Sequence, residues 1–245
     1  MSKPKFIELP GCEPMPILFE DRSVMAIDKP RGWMLVPHSW QKTSRNLMAA
    51  IESSIRAGDF WARSRGLKFL KNVHRLDADT SGILLFAKSF GAVETISDLF
   101  ESRKMEKTYL AVVTGEPKEK EWLCQFKLAP DEKRIGRMKV DFRNGKNAET
   151  FFKILETRGK FSLVECKPIT GRTHQIRVHL AQSGLPIVGD ELYGKIGHAL
   201  SLGLRAVRLE FQNPFTKKRV DIHAPTDKFL KEFGFAARED ARPTD

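Results

Sequence analysis

Short β-type runs dominate this chain, and the helical segments between them come at irregular intervals. Residues 17–20, 24–27, 83–87, 109–114, 122–128, 136–140, 149–155, 161–168, 206–211 and 218–224 are strand candidates, most of them bounded by charges, Gly or Pro. Helical spacing appears over 43–57, 89–102, 174–183 and 226–233. In the first of these, Thr43 or Ser44 caps the start, and Leu47, Met48 and Ile51 share a face. In the second, Val93, Ile96, Leu99 and Phe100 recur at helical spacing, and Thr226 is the N-cap expected for the last. Strands outnumber helices and do not alternate with them regularly, which argues against a doubly wound parallel fold. The expected class is α+β: a mixed, mostly antiparallel central sheet with flanking helices.

At 245 residues the chain can bury a sizeable core without staples. Residues 1–16, with Pro4, Pro10, Gly11, Pro14 and Pro16, read as an extended arm. Residues 17–235 read as one domain and 236–245 as a polar tail, and 59–70 as a basic, irregular stretch. No apolar run approaches the roughly 20 residues of a membrane-spanning helix, so no membrane association is expected. The N-terminal residues carry no apolar stretch behind their charges and do not resemble a signal peptide. Cys12, Cys124 and Cys166 are scattered and odd in number, which suits neither a disulfide framework nor a zinc site. A monomer in the reducing cytoplasm is the expectation.

The 42 Lys and Arg outnumber the 31 Asp and Glu, for a net charge of +11. An excess of this size favours an anionic partner, nucleic acid among them, although solubility alone accounts for some basic chains. The sequence holds no GxxxxGK[ST] loop, no GxGxxG turn, no HExxH pair and no GxSxG elbow. Nothing supports a resident cofactor or metal, and none is expected.

One segment is dense in polar chemistry. Asn72-Val73-His74-Arg75-Leu76-Asp77-Ala78-Asp79-Thr80-Ser81-Gly82 leads straight into the apolar run 83–87. A loop delivering polar groups to the edge of a rigid sheet is the usual geometry of an active site. Asp, Thr, Ser and Gly are also turn formers, and a plain turn accounts for 79–82 equally well. It does not require His74 and Arg75 beside Asp77.

The block His74-Arg75-Leu76-Asp77-x-x-Thr80-Ser81-Gly82, followed by Ala87-Lys88, resembles the signature loop of the RluA family of RNA pseudouridine synthases. Four further blocks resemble that family in its own order. They are Lys29-Pro30-x-Gly32, Lys107-Thr108-Tyr109-Leu110-Ala111, the run from Gly171 to His179 (GRTHQIRVH), and Gly189-Asp190-x-x-Tyr193-Gly194. Together they span residues 29–194.

The resemblance implies a cofactor-independent isomerisation of uridine in tRNA or rRNA, with 17–235 as the catalytic domain. The base is detached from C1′ of the ribose, turned, and rejoined through C5. It implies that Asp77 is the essential carboxylate. In different routes that carboxylate attacks C1′, removes a proton or attacks the base. Tyr109 is implied to pack against the target base and to act on a proton late in the reaction. Arg177 is implied to hold Asp77 ionised, Ile176 to form an apolar floor, and Arg75 to fill the space of the flipped nucleotide. His74 and Thr80 are further expected substrate-binding residues of the same loop. A salt bridge with Asp79 is an equally good local account of Arg75, and a strand core of Tyr109.

Many relatives carry a small basic RNA-binding domain before the catalytic one, and here only about 16 residues precede the first strand. The basic stretch 56–71 is therefore expected to share in holding RNA, with Phe60 and Trp61 either stacking on bases or packing inward. The alternative is a non-catalytic RNA-binding protein on the same scaffold. Loss of Asp77, Tyr109 or Arg177 would signal it, and all three are present. A magnesium-dependent nuclease would need a carboxylate cluster, for which Asp77 and Asp79 alone are thin.

Overall fold

The computed structural model describes residues 3–35, 45–194 and 200–236. The chain forms two compact units, Met1–Met105 with Leu209–Ala224, and Glu106–Arg208 with Pro225–Asp245. The stretch 17–235 contributes to both. Thr43, Ser44 and the tail beyond residue 236 lie outside the described residues.

The first unit opens with β1 (Phe6–Ile7), β2 (Met15–Glu20) and β3 (Val24–Lys29). The expected arm thus carries a short strand, with Phe6 opposite Pro16 and Ile7 opposite Met15. Burial explains it: Ile7 and Met15 are core residues. Helix α1 (Leu47–Ala57) starts at Asn46, whose side chain accepts the Ala49 N–H, and buries Leu47, Met48 and Ile51 as its spacing predicts. The stretch expected to be irregular holds a short helix, α2 (Phe60–Arg63). After β4 (Lys71–Asn72), the strand β5 (Ser81–Ala87) is buried along its whole length. Helix α3 (Phe90–Glu101) follows with Ser89 as N-cap.

The second unit contains β6 (Glu106–Thr114), β7 (Glu121–Cys124), β8 (Leu128–Pro130), β9 (Met138–Val140), β10 (Thr150–Arg158) and β11 (Phe161–Pro168). The single strand expected over 122–128 is instead two, β7 on β10 and β8 on β9, in separate sheets. Helix α4 (Gln175–Gln182) comes next. Strand β12 (Leu204–Gln212) then runs from the second unit into the first, and β13 (Arg219–His223) pairs with it. The candidates 206–211 and 218–224 become this pair, joined by a turn at Asn213. Asn213 caps its turn by accepting the Phe215 and Thr216 N–H groups, and its amide donates to Asp21. Helix α5 (Asp227–Glu232) closes the second unit; Thr226 is its N-cap position but makes no side-chain cap bond.

Within the first unit the strand order is β1-β2-β3-β5-β12, and within the second β12-β6-β11-β10-β7. The pairings β1–β2, β2–β3, β3–β5, β4–β5, β6–β11, β10–β11, β7–β10 and β8–β9 are all antiparallel, and an isolated parallel bridge joins Met34 to Asn46. The α+β class with a mainly antiparallel sheet therefore holds. The first unit's core joins β3 and β5 to α3 through Ala26, Leu85, Ala92 and Ile96. One core of the second unit joins β6, β11 and α4 through Val113, Val164, Ile176 and Leu180.

Candidate active site

In the first unit, His74, Arg75, Asp77 and Thr80 share the loop between β4 and β5. Its main chain is pinned by the Lys29-Pro30-x-Gly32 segment. Lys29 is fully buried at 0% exposure. Its Nζ donates to the carbonyls of Ala78 at 2.8 Å, Pro30 at 3.0 Å and Trp33 at 3.1 Å. The Gly32 N–H donates to the same Ala78 carbonyl at 2.9 Å. Gly32 sits at φ 78°, a left-handed conformation that favours glycine. The Thr80 N–H closes the turn on the Asp77 carbonyl. Burial pushes the Lys29 ammonium down to about 8, while the charges of Asp79 and Asp77 act in the opposite sense.

Asp77 is half-buried, Arg75 and Asp79 are exposed, and Thr80 is buried. Among the described residues Arg75 makes no ion pair with Asp79. His74 has partners inside its own unit. Its Nε2 accepts the Leu85 N–H at 2.9 Å, which leaves the proton of the neutral ring on Nδ1. The ring also stacks on Phe100 with centroids 4.6 Å apart.

The basic stretch resolves into unlike parts. Trp61 is 1% exposed and donates its indole N–H to Ser54 Oγ, so it packs inward. Phe60 is exposed. Arg65 is held by Glu20 with its side chain 4% exposed, so it belongs to the fold and not to a solvent-facing cationic row.

The second unit gathers Tyr109, Ile176 and Arg177. Tyr109 lies on β6 opposite Cys166 of β11 and packs against the apolar cluster that contains Ile176. Gln175 fixes the start of α4. Its Oε1 accepts from Thr170 and from the Arg172 N–H, and its Nε2 donates to the Glu149 carbonyl and Thr150 Oγ1. His174, at the N-cap, adopts φ 54°, an uncommon conformation for a residue with a Cβ. Its Nδ1 is 2.8 Å from the Tyr193 hydroxyl, which also accepts the Met138 N–H at 2.7 Å.

Arg177 is only 5% exposed and Asp190 3%. Arg177 Nε donates to Asp190 Oδ2 and Nη2 to Oδ1, both at 2.8 Å, a bidentate fork. Asp190 Oδ1 also accepts the N–H groups of Leu192 and Tyr193. Burial alone would raise the Asp190 carboxyl; the Arg177 fork and the two N–H groups outweigh it and leave it below its usual value. Gly189 presents Asp190 at φ 71°, where a Cβ would run into the carbonyls of Leu200 and Ser201. The guanidinium carbons of Arg177 and Arg137 lie 5.3 Å and 5.0 Å from the centroid of the Tyr193 ring.

Sequence reasoning placed Lys29, His174, Asp190 and Tyr193 in motif blocks but gave them no roles. The available signal was their membership in those blocks. The pairing that gives each its role crosses 13 residues for Asp190 and 49 for Lys29. Among the described residues no group of His, Cys, Asp and Glu could hold a metal ion.

The model of the RNA pseudouridylate synthase family matches residues 23–182, which take in the Asp77 loop, Tyr109 and Arg177. The ribosomal large subunit pseudouridine synthase C of Vibrio vulnificus is 38% identical over 225 residues, covering 88% of this chain and 67% of that protein. Pseudouridylate synthase RPUSD2 of Mus musculus is 37% identical over 192 residues, covering 78% of this chain and 32% of the mouse protein. The chain thus spans about a third of the mouse relative and two thirds of the bacterial one. The solved structure of Human RNA Pseudouridylate Synthase Domain Containing 1 has the same fold, with a TM-score of 0.69 at 24% identity over 86% of this chain and 83% of that one. With the family model matched over most of the chain and identities of this size to two of its curated members, the chain belongs to the RNA pseudouridylate synthase family.

Proposed function

We propose that this chain is an RNA pseudouridine synthase that isomerises uridines in folded tRNA or rRNA, with Asp77 as the essential catalytic residue. The observation that carries this reading is the Asp77 loop. A family motif presents a half-buried carboxylate on a main chain fixed by a buried lysine and a glycine that both bond one carbonyl.

The reaction breaks the N1–C1′ bond, forms a C5–C1′ bond, removes the hydrogen from C5 and leaves one on N1. It needs no oxidant and no group donor, so the chain's own side chains suffice. Asp77 acts ionised, at the sugar or the base. In this reading Arg177 balances that charge, and the Asp190 fork fixes the plane of its guanidinium. Tyr109 stacks on the target base, and Ile176, in the same apolar cluster, floors it. A uridine in structured RNA must leave its stack, at a cost of a few kcal/mol. Arg75 is exposed on the same loop as Asp77, and a planar guanidinium suits the vacated space. His74 and Thr80 shape the loop beneath it. The protein works in the cytoplasm as a monomer, without cofactor or metal.

The test is release of tritium from RNA carrying 5-³H-uridine, together with pseudouridine mapping in total RNA with and without the gene. Release that persists in excess EDTA, and sites that vanish with the gene, are expected. RNA that is bound but never releases tritium would make the chain a binding protein on this scaffold.

A further inference from the structure

An open cleft of about 770 Å³ lies in the first unit. It is far from Asp77. The catalytic loop enters β5 at Gly82, opposite Lys29, whereas the cleft includes Lys88, just beyond the pair Ala87 and Val24. Five residue steps, from Gly82 to Ala87, separate the two ends, about 17 Å at 3.3 Å per residue. That is several nucleotides along a stacked strand.

The two carboxylates in the cleft wall are already committed. Glu20 binds Arg65 Nε and Lys88 Nζ, each at 2.7 Å. Asp21 accepts from the Ser23 and Val24 N–H groups, from Ser23 Oγ and from the Asn213 amide. Lys3, Arg22 and Lys68 line the same cleft and are exposed. Among the described residues none of these three has an ion pair. The wall therefore presents cations without matching anions.

Beside them stands an aromatic surface left in water. Phe69 lines the cleft, and its ring centroid is 4.2 Å from that of Phe90, which is 80% exposed. A phenylalanine this open contributes little to its own core. Exposed rings among cations are the pattern that holds single-stranded nucleic acid, by base stacking and phosphate contact together.

We propose that this end of the first unit is a second RNA-contact surface, in which Lys3, Arg22 and Lys68 hold phosphates and the Phe69–Phe90 pair stacks a base. It rests on the reading of the chain as an RNA enzyme, and it concerns RNA several nucleotides from the modified uridine. Such a surface gives affinity for longer RNAs without touching the chemistry.

The test uses the whole chain and a 12-nucleotide oligouridylate carrying 4-thiouridine. Irradiation should crosslink it to the tryptic peptide 89–103, and Phe90→Ala should abolish that crosslink and weaken binding at least about fivefold. Arg22→Gln with Lys68→Gln should weaken binding about tenfold. The double variant should also lower the slope of log affinity against log salt by about 1.4, since each single-strand phosphate contact contributes about 0.7. All these side chains are solvent-facing or lie at the rim, and circular dichroism checks that each variant is folded. No crosslink on 89–103, or an unchanged slope in the double variant, overturns the proposal; an acidic protein or lipid as the true partner would give that result. Pseudouridine formation by a wild type that fails to crosslink sinks the surface alone. The expected crosslink and slope in a protein that makes no pseudouridine would keep the surface and sink the enzymatic reading.

Discussion

The loop that carries Asp77 and the helix that carries Arg177 are held in opposite ways. The loop is fixed through its main chain, by bonds from Lys29 and Gly32 to one carbonyl and a turn closed by Thr80. The helix start is fixed through side chains: the Arg177–Asp190 fork, the Gln175 amide and the His174–Tyr193 contact. A loop held by its backbone can change a side chain and keep its shape. A cluster held by side chains loses shape and chemistry together. Substitutions in the two regions should therefore separate stability from activity in one case and couple them in the other.

The largest expected effect tests the first half of that contrast. Asp77→Asn should lower tritium release by on the order of 10³-fold or more, while its denaturant midpoint implies a change within about 1 kcal/mol. An Asn variant that turns over near the wild-type rate would remove Asp77 from the chemistry. One that unfolds would show that the loop depends on the Asp77 side chain after all.

The second half is tested at the fork. Arg177→Lys keeps the charge but replaces a planar double donor by a point charge. Its single-turnover rate should fall on the order of 100-fold, about 2.7 kcal/mol of transition-state stabilisation. Asp190→Asn leaves a buried guanidinium against a neutral amide, which should cost about 3 kcal/mol of folding stability as well as rate. A Lys variant within about threefold of wild type would show that charge alone matters. An Asn variant of unchanged stability would show that the fork is not what holds the helix start.

The same contrast explains what the sequence made legible. Polar density in 72–82 beside an apolar strand pointed to the Asp77 loop, because both signals are local. The antiparallel sheet was legible for the same reason, and 161–168 matches β11 at both ends. The fork was not legible. A lone Arg177 on a short helix looks like a surface residue until Asp190 is brought beside it, and no periodicity encodes that approach. Lys29 is a similar case: a lysine before a proline looks exposed, yet here three carbonyls compensate its burial. The division of 122–128 into two strands was equally hidden, since β7 and β8 differ in their partners and not in their composition.

Lys29 sharpens the comparison, because its buried ammonium bonds the loop's main chain at the Ala78 carbonyl. Lys29→Met fills similar space but takes the ammonium donor from three carbonyls, of which only Ala78 keeps another, the Gly32 N–H, so stability should fall by about 2 kcal/mol. The rate should fall about tenfold as the Asp77 loop loosens, about 1.4 kcal/mol. The pH dependence has a definite sign. Burial puts the folded value at about 8, below the ordinary 10.5 of the unfolded chain. Between those values the unfolded chain holds more protons, so wild-type stability should rise with pH across that window, and the Met variant should lack this component. A Met variant with the wild-type rate would show that Gly32 and the turn hold the loop unaided.

The smallest effect belongs to the second unit. His179 is fully buried, with Nε2 3.1 Å from the Phe126 carbonyl and Nδ1 3.1 Å from Thr150 Oγ1. A carbonyl only accepts, so the neutral ring carries its proton on Nε2, and Nδ1 accepts from the threonine hydroxyl. A second proton on Nδ1 would face that oxygen in place of its hydrogen, while the oxygen already accepts from Gln175 Nε2. Burial accordingly lowers the His179 pKa below its ordinary 6.5, and the Phe126 carbonyl offsets this only in part. As pH falls through 6.5 the unfolded chain gains a proton that the folded chain refuses, so folding stability is lost from there downward. Urea midpoints of wild type between pH 7 and 5 should fall more steeply than those of His179→Gln, with both proteins folded at pH 7. Because His179 Nδ1 shares the Thr150 hydroxyl with the Gln175 amide, its titration should also loosen the start of α4. Tritium release should then drop in wild type over the same interval, and less in the Gln variant. Parallel urea slopes would mean that His179 accepts its second proton without leaving its place. The side-chain-held cluster would then be as tolerant as the backbone-held loop.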